Sequence, residues 1–388
     1  LNISREMLQH DNQLKLIAKT LEKKIKDGSL IMAQAGNAVN IVPTIVIRVN
    51  IIWIIDNPNT YIAILVNEYN SIKVLKAFQK FNISELHMGS TTGYGYGDIG
   101  RDTIEKVFAD VLEAEDCLVR SQFISGSHAL TVALFAFLRP GDTMLSICGK
   151  PYDTLDEVIG IEENASSLKS FGVKYEQIDL INDDFDYAQI KERVEHGNIK
   201  LIEIQRSRGY STRKSLTLDK IEKVVKLIKE INKDIIIMID NCYGEFVEKY
   251  EPTSFGADII VGSLIKNPGG GMAESGGYIA GTKKAVELAS YRLTSVGCGL
   301  EVGASLGQTK SMYKGLFYAP HTTAQAIKTA HLAAYIFGKD GLGFDVEPHW
   351  SEPRYDIIQA IITHSPEALC AICRGIQAGS PVDSYVTP

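Results

Sequence analysis

Short apolar runs alternate with helical patterns from Arg101 to Gly281, and this alternation limits the fold more than any other feature of the chain. The runs are "CLVRSQFI", "TMLSIC", "KLIEIQ", "DIIIMID", "DIIVGS" and "GGYIAG". Between them lie helical patterns over 103–115, from near Gly126 to the Pro140–Gly141 stop, near 186–196, and over 218–231. Strands that are apolar on both faces need cover on both faces. The pattern therefore predicts an α/β fold with a parallel or mixed sheet between two layers of helices. Sheets of this kind bind ligands beyond the carboxyl ends of their strands, so the residues that follow each strand are where chemistry is expected.

Those residues form a coherent set. "CLVRSQFI" leads to Ser125, Gly126, Ser127 and His128 at a helix start. Backbone N–H groups are free at such a start and the helix dipole favours an anion, so Gly126, Ser127 and His128 read as a phosphate seat or as an ordinary cap. Tyr152 follows "TMLSIC" and could stack on a planar ring or simply pack. Asp240 ends "DIIIMID", where a carboxylate is costly without a cation or donors; a protonated pyridine nitrogen would supply one, and a loop-capping role is the alternative. After "DIIVGS" come Leu264, Ile265, Lys266 and a glycine-rich loop. A lysine whose pKa burial lowers can bond to a carbonyl carbon, whereas most loop lysines are simply exposed. Ser263, three residues earlier, could add a hydroxyl to a phosphate. Taken together, a strand-end Asp, a Ser-x-x-Lys one strand later and a Gly-Ser helix start are what pyridoxal phosphate requires: an acid for the ring nitrogen, a lysine for the aldehyde and an anion seat.

The stretch "GYGYGDIGRDTIEK" contains a G-x-G-x-x-G at Gly95, Gly97 and Gly100. A dinucleotide loop follows a buried strand and opens a helix. A helical pattern does follow, but "NISELHMGSTT" before it has no apolar run, so a nicotinamide-dependent oxidoreductase is a remote alternative.

With 45% hydrophobic and 22% charged residues and a net charge of −7, the chain has a globular composition and no basic footprint for nucleic acid. The six cysteines form no disulfide framework; Cys370-x-x-Cys373 lies in a helical pattern and is expected to pack rather than bind metal. The eight histidines are dispersed, and no metal site is expected. No signal peptide is evident and the isoleucine-rich stretch Ile41–Val66 is broken by Arg48, Asn50, Asp56 and Asn57, so the reading is cytoplasmic, with no membrane span. That stretch reads as two or three short strands around "DNPN", and "QLKLIAKTLEKKIKDGS" before it as a helix ended by Gly28. The start at Leu1 and the stop at "SPVDSYVTP" suggest a fragment or a chain with a foreign front end.

From about Lys76 to Pro388 the sequence resembles the aluminium-resistance protein family, a branch of the cystathionine β-lyase and methionine γ-lyase group of fold-type I pyridoxal-phosphate enzymes. "TTGYGYGDIGRDT", "SGSHAL", "LRPGD", "GKPYDTLDEVIG", "IQRSRGY", "DNCYGEFVE", "GADIIVGSLIKNPGGG", "GGYIAG" and "SPVDSYVTP" carry the resemblance, in order.

The resemblance implies an atypical segment 1–75, a large cofactor domain 76–300, and connecting helices with an incomplete small domain over 301–388. It implies that Lys266 is the Schiff-base lysine, that Asp240 holds the pyridine nitrogen protonated, and that Tyr152 stacks on the ring. Gly126, Ser127 and Ser263 match phosphate-binding positions, with His128 beside them. Tyr96 and Arg101, with Tyr94 a lesser candidate, match residues that grip the cofactor phosphate of a neighbouring subunit, so a homodimer or homotetramer with its site at the subunit interface is implied. The implied reaction is carbon–sulfur cleavage of a sulfur amino acid, with Arg206 or Arg208 as a candidate for the substrate carboxylate. Another pyridoxal-phosphate reaction, such as aldol cleavage or transamination, and a catalytically impaired fragment are the alternatives.

Overall fold

A computed structural model describes residues 58–387. The expected helix ended by Gly28, and the Ile41–Asn57 part of the isoleucine-rich stretch, lie outside them.

Besides the single turn Asp156–Ile159, the described α-helices are α1 (Pro58–Lys80), α2 (Ile99–Val111), α3 (Gly126–Phe137), α4 (Tyr187–Glu195), α5 (Leu218–Ile231), α6 (Lys283–Leu293), α7 (Thr309–Phe337) and α8 (Pro366–Gly379). The strands are β1 (Asp116–Arg120), β2 (Thr143–Ser146), β3 (Lys174–Gln177), β4 (Leu201–Gln205), β5 (Ile236–Asp240), β6 (Ile259–Ser263), β7 (Gly277–Gly281), β8 (Asp345–Glu347) and β9 (Ala360–Ile362). Seven strands form one sheet in the order β1-β7-β6-β5-β4-β2-β3. Strands β3, β2, β4, β5 and β6 pair in parallel. Only β7 runs against its neighbours, because the β6–β7 connection is a loop that returns without a crossover helix.

The expected helix-covered mixed sheet is thus present. One face packs on α2 and α5 through Val107, Phe108, Ile221 and Val224, with Met312 and Leu316 of α7. The other face packs on α3 and α6 through Leu130, Ala133, Val286 and Ala289. Each fully buried side chain of this size contributes about 1.5–3 kcal/mol relative to exposure in water, which makes the sheet the rigid base of the molecule.

Three local expectations are corrected. Pro58 to Val66 is helix rather than strand: proline suits a first helical turn, and Ile62 faces outward with Leu65. The helix expected over 103–115 starts at Ile99, because Asp98 caps it through Arg101 N at 2.9 Å, and ends by Glu113, whose φ is 57°. Cys370 and Cys373 do not pack; both are exposed on α8.

The described residues divide into two compact units. The larger comprises Ala63–Ile327 and Pro353–Ile358 and holds the seven-stranded sheet. The second takes in Lys328–Glu352 and the residues from Gln359 onward. Within it β8 and β9 form an antiparallel pair in the register Asp345↔Ile362. Among the described residues no helix is long and apolar enough to cross a membrane.

Candidate active site

The strand ends of the larger unit bring most of the expected residues together. Asp240 closes β5 and is buried; its Oδ1 accepts a bond from Cys242 N at 3.1 Å. Burial pushes its pKa up, and the Lys266 charge pulls it back. Lys266 stands in the turn after β6, its N–H bonded to Ser263 O at 3.3 Å. Its ammonium lies 4.0 Å from the centroid of the Tyr243 ring and 5.9 Å from that of Tyr152. Burial pulls the Lys266 pKa down, but Cys242, Asp240, Tyr243 and Glu245 outweigh it, so the net shift is upward. The expectation of a lysine lowered by burial is therefore reversed in the ligand-free chain: its acidic neighbours outweigh desolvation.

The anion seat is built from α3 and β6. A Cβ on Gly126 would stand 3.1 Å from Ser263 Cβ and 3.7 Å from Cys242 Sγ, so only glycine lets α3 begin this close to β6. Ser263 Oγ is buried and has no hydrogen-bond partner within the chain, which is uncommon for a buried hydroxyl. Ser127 Oγ lies 2.6 Å from Thr154 Oγ1. His128 faces elsewhere. Its N–H is taken by Ser125 Oγ at 3.1 Å, and its Nδ1 accepts from Ile124 N at 3.2 Å. Gly126, Ser127 and Ser263 thus lie together at the start of α3, with the ring of His128 turned to Ile124 N.

Tyr152 stacks on Tyr210, with ring centroids 5.4 Å apart and an interplanar angle of 30°. Gly209, beside Tyr210, has φ 58°, and a Cβ there would be 2.7 Å from Gln205 Nε2.

Arg206 is a correction. It is wholly buried, bonded to Asn241 Oδ1 at 2.8 Å and Glu248 Oε2 at 2.7 Å, and 3.5 Å from Glu251 Oε2. Gly244 presses on it, since a Cβ there would be 2.7 Å from Arg206 Cδ. It holds the sheet to the 244–251 loop and presents nothing to a substrate. Arg208 is buried beside Asp356, which also accepts from Ser207 Oγ at 2.9 Å, from Arg208 N at 3.2 Å and from Ser215 Oγ.

The glycine loop is not a dinucleotide cradle. A 3-10 turn, Glu85–Met88, precedes it, and not a strand. Gly95 has φ 66°, and a Cβ there would be 2.7 Å from Gly303 O. Arg101 is buried and ties the loop down through Gly95 O at 2.7 Å and Gly303 O at 2.8 Å. Tyr94 and Tyr96 are exposed beside it.

Tyr243, Glu203 and Glu245 were given no role from the sequence. Tyr243 adopts φ 68°, a conformation that a non-glycine residue takes only under tertiary constraint. Among the described residues no cluster of three or more His, Cys, Asp or Glu could hold a metal.

A methionine gamma-lyase family model matches residues 54–388. YnbB, an uncharacterised protein of Bacillus subtilis, is 47% identical over 326 residues, which cover 83% of this chain and 77% of YnbB. A carbon–sulfur lyase involved in aluminum resistance from Clostridium novyi aligns with a TM-score of 0.82 at 49% identity, over 84% of this chain and 78% of that one. The pyridoxal-5'-phosphate dependent protein YhfS from Escherichia coli aligns with a TM-score of 0.61 at 16% identity over 84% of each chain, a likeness of fold alone.

Proposed function

We propose, for a chain that belongs to the methionine gamma-lyase family and has a fold-type I architecture, that it cleaves the carbon–sulfur bond of a sulfur amino acid. The cofactor is pyridoxal phosphate. The observation that carries the reading is the grouping of Lys266 against Tyr243 and Asp240, with the unpartnered Ser263 hydroxyl and the α3 start beside it.

When bound, pyridoxal phosphate supplies an aldehyde for an amino group and an electron-poor ring that accepts electrons from the α-carbon. Lys266 Nζ would hold the aldehyde at rest. Asp240, buried at the end of β5, would keep the ring nitrogen protonated. Gly126 and Ser127 N–H and the Ser263 hydroxyl would hold the phosphate. Tyr152 would cover one face of the ring. Freed of the aldehyde, Lys266 Nζ would take the α-proton of a substrate, with Tyr243 fixing where that nitrogen stands. The electron pair of that C–H bond would then expel a thiolate from Cβ; departure from Cγ would first require removal of a Cβ proton as well.

We further propose a homodimer or homotetramer whose sites lie at the subunit interface. The exposed Tyr94 and Tyr96 support that reading, whereas Arg101 is buried and bonded within its own chain and holds the loop rather than a neighbour's phosphate. The six cysteines are free thiols, which supports a cytoplasmic location.

The test is to incubate the chain with pyridoxal phosphate and each of cystathionine, methionine and cysteine, and to measure keto-acid and thiol release. Release of both in equal amounts supports the reading. Keto acid without thiol would favour transamination, and neither product from a cofactor-loaded chain would remove the lyase assignment.

A further inference from the structure

Glu203 lies in the middle of β4 with no accessible surface. Its Oε2 is 2.8 Å from Ser146 Oγ, that hydroxyl is also 2.7 Å from Gly149 O, and Oε1 has no partner. A hydroxyl has one proton to give, and a peptide carbonyl can only accept. If Ser146 donates to Gly149 O, the short contact with Oε2 is a hydrogen bond only when the proton there belongs to Glu203. An ionised Glu203 would instead keep a buried charge on a single donor, with one oxygen bare.

The surroundings act in the same direction. Cys148 faces Glu203 from the end of β2, Tyr175 from β3 and Asp240 from β5. The negative charge of Asp240 disfavours a second one. Arg213 is the opposing cation, but its guanidinium is bonded to Gln205 O at 2.7 Å and Ser207 O at 2.6 Å. Burial pushes the Glu203 carboxyl up to about 8.

Gly149 opens the turn that carries Tyr152. Its φ is 89°, and its N–H is bonded to Ile178 O at 2.9 Å. Ser146 therefore holds the carbonyl side of a residue whose amide side is fixed to the β3 edge. We propose that Glu203 is a neutral carboxylic acid whose proton, relayed through Ser146, pins Gly149 and so positions the turn that presents Tyr152. When Glu203 ionises, Ser146 turns its proton toward the carboxylate and releases the Gly149 carbonyl. The turn then loosens at alkaline pH. This holds whatever ligand Tyr152 serves.

The test uses the full ligand-free chain beside Glu203→Gln, whose amide can still donate to Ser146. Infrared difference spectra should show one protonated-carboxyl band at pH 6.5 that Glu203→Gln lacks and that titrates away with a midpoint near pH 8. Amide exchange across residues 149–155 should match in the two chains at pH 6.5. At pH 9 it should be faster in the wild type by up to about tenfold, the excess of ionised over neutral carboxyl one unit above the midpoint. Ser146→Ala, which breaks the relay but keeps the acid, should exchange fast at both pH values. A carboxyl signal at pH 6.5 that is unchanged in Glu203→Gln overturns the protonation, and equal exchange at pH 9 overturns the positioning role. Failure of the cofactor assignment would leave both readouts standing.

Discussion

The Lys266 ammonium sits over the face of Tyr243, 4.0 Å from its centroid, on a tyrosine held at φ 68°. The ring face is a fixed partial negative charge that a buried cation can use without a second carboxylate. Tyr243→Phe should keep the contact. Tyr243→Ala should weaken it by about 0.5–2 kcal/mol and lower the Lys266 pKa. The check is the pH dependence of Lys266 acylation: the alanine variant should react at lower pH than the phenylalanine variant. Identical profiles would mean that the ring is only packing.

Ser263 separates a binding role from a structural one. Its hydroxyl is buried without a partner, so Ser263→Ala should leave the ligand-free chain as stable as before or more stable by up to about 1 kcal/mol. The same change should weaken pyridoxal-phosphate binding by about tenfold, the loss of one bond to a charged group. Calorimetric titration and denaturant unfolding on one preparation read both quantities. A fall in ligand-free stability would show that the hydroxyl is already used within the chain.

Arg206 should behave as structure. Arg206→Met leaves Glu251 buried without its cation and should destabilise the chain by about 3–5 kcal/mol in denaturant unfolding. KM for an amino-acid substrate, measured on the fraction that folds, should change little. A large rise in KM with stability intact would restore Arg206 as a carboxylate holder.

Burial raises two carboxyls from an ordinary 4.5 to about 8, those of Glu203 and Glu245. The folded state then binds protons that the unfolded chain has released. Their contribution to stability is full below pH 4.5, falls as pH rises toward 8 and levels off above it, with a slope of about 1.4 kcal/mol per pH unit for each such carboxyl. Glu203→Gln should remove one share of that slope, so its stability relative to wild type grows from pH 5 to pH 8. Parallel curves would show that Glu203 is ionised in the folded chain.

The central sheet was legible because strands such as "DIIVGS" and "DIIIMID" are buried on both faces, which leaves an unbroken apolar run in the sequence. The helix expected over 218–231 is α5, Leu218–Ile231, since Thr217 caps it and one stripe of isoleucine and valine faces the sheet. Strand β3 was missed because "KYEQ" is only partly buried and carries no such run. Pro58–Val66 misled because β-branched residues usually signal strands, whereas here Thr60, Ile62, Ile64 and Val66 are part of a helix that buries Thr60 and Val66 and exposes Ile62. Asp240, Lys266, Gly126 and Ser263 could be read from their strand-end positions. What could not be read is which charge wins at Lys266, or that Arg206 turns inward, since both depend on residues brought near by folding.

The most direct measurement of the account is to load the full chain with pyridoxal phosphate, reduce it with borohydride, digest it and map the modified lysine. The account predicts one phosphopyridoxyl group per chain, on the peptide that contains Lys266, and its loss in Lys266→Arg without loss of folding. Label spread over surface lysines, or unchanged in Lys266→Arg, would contradict it.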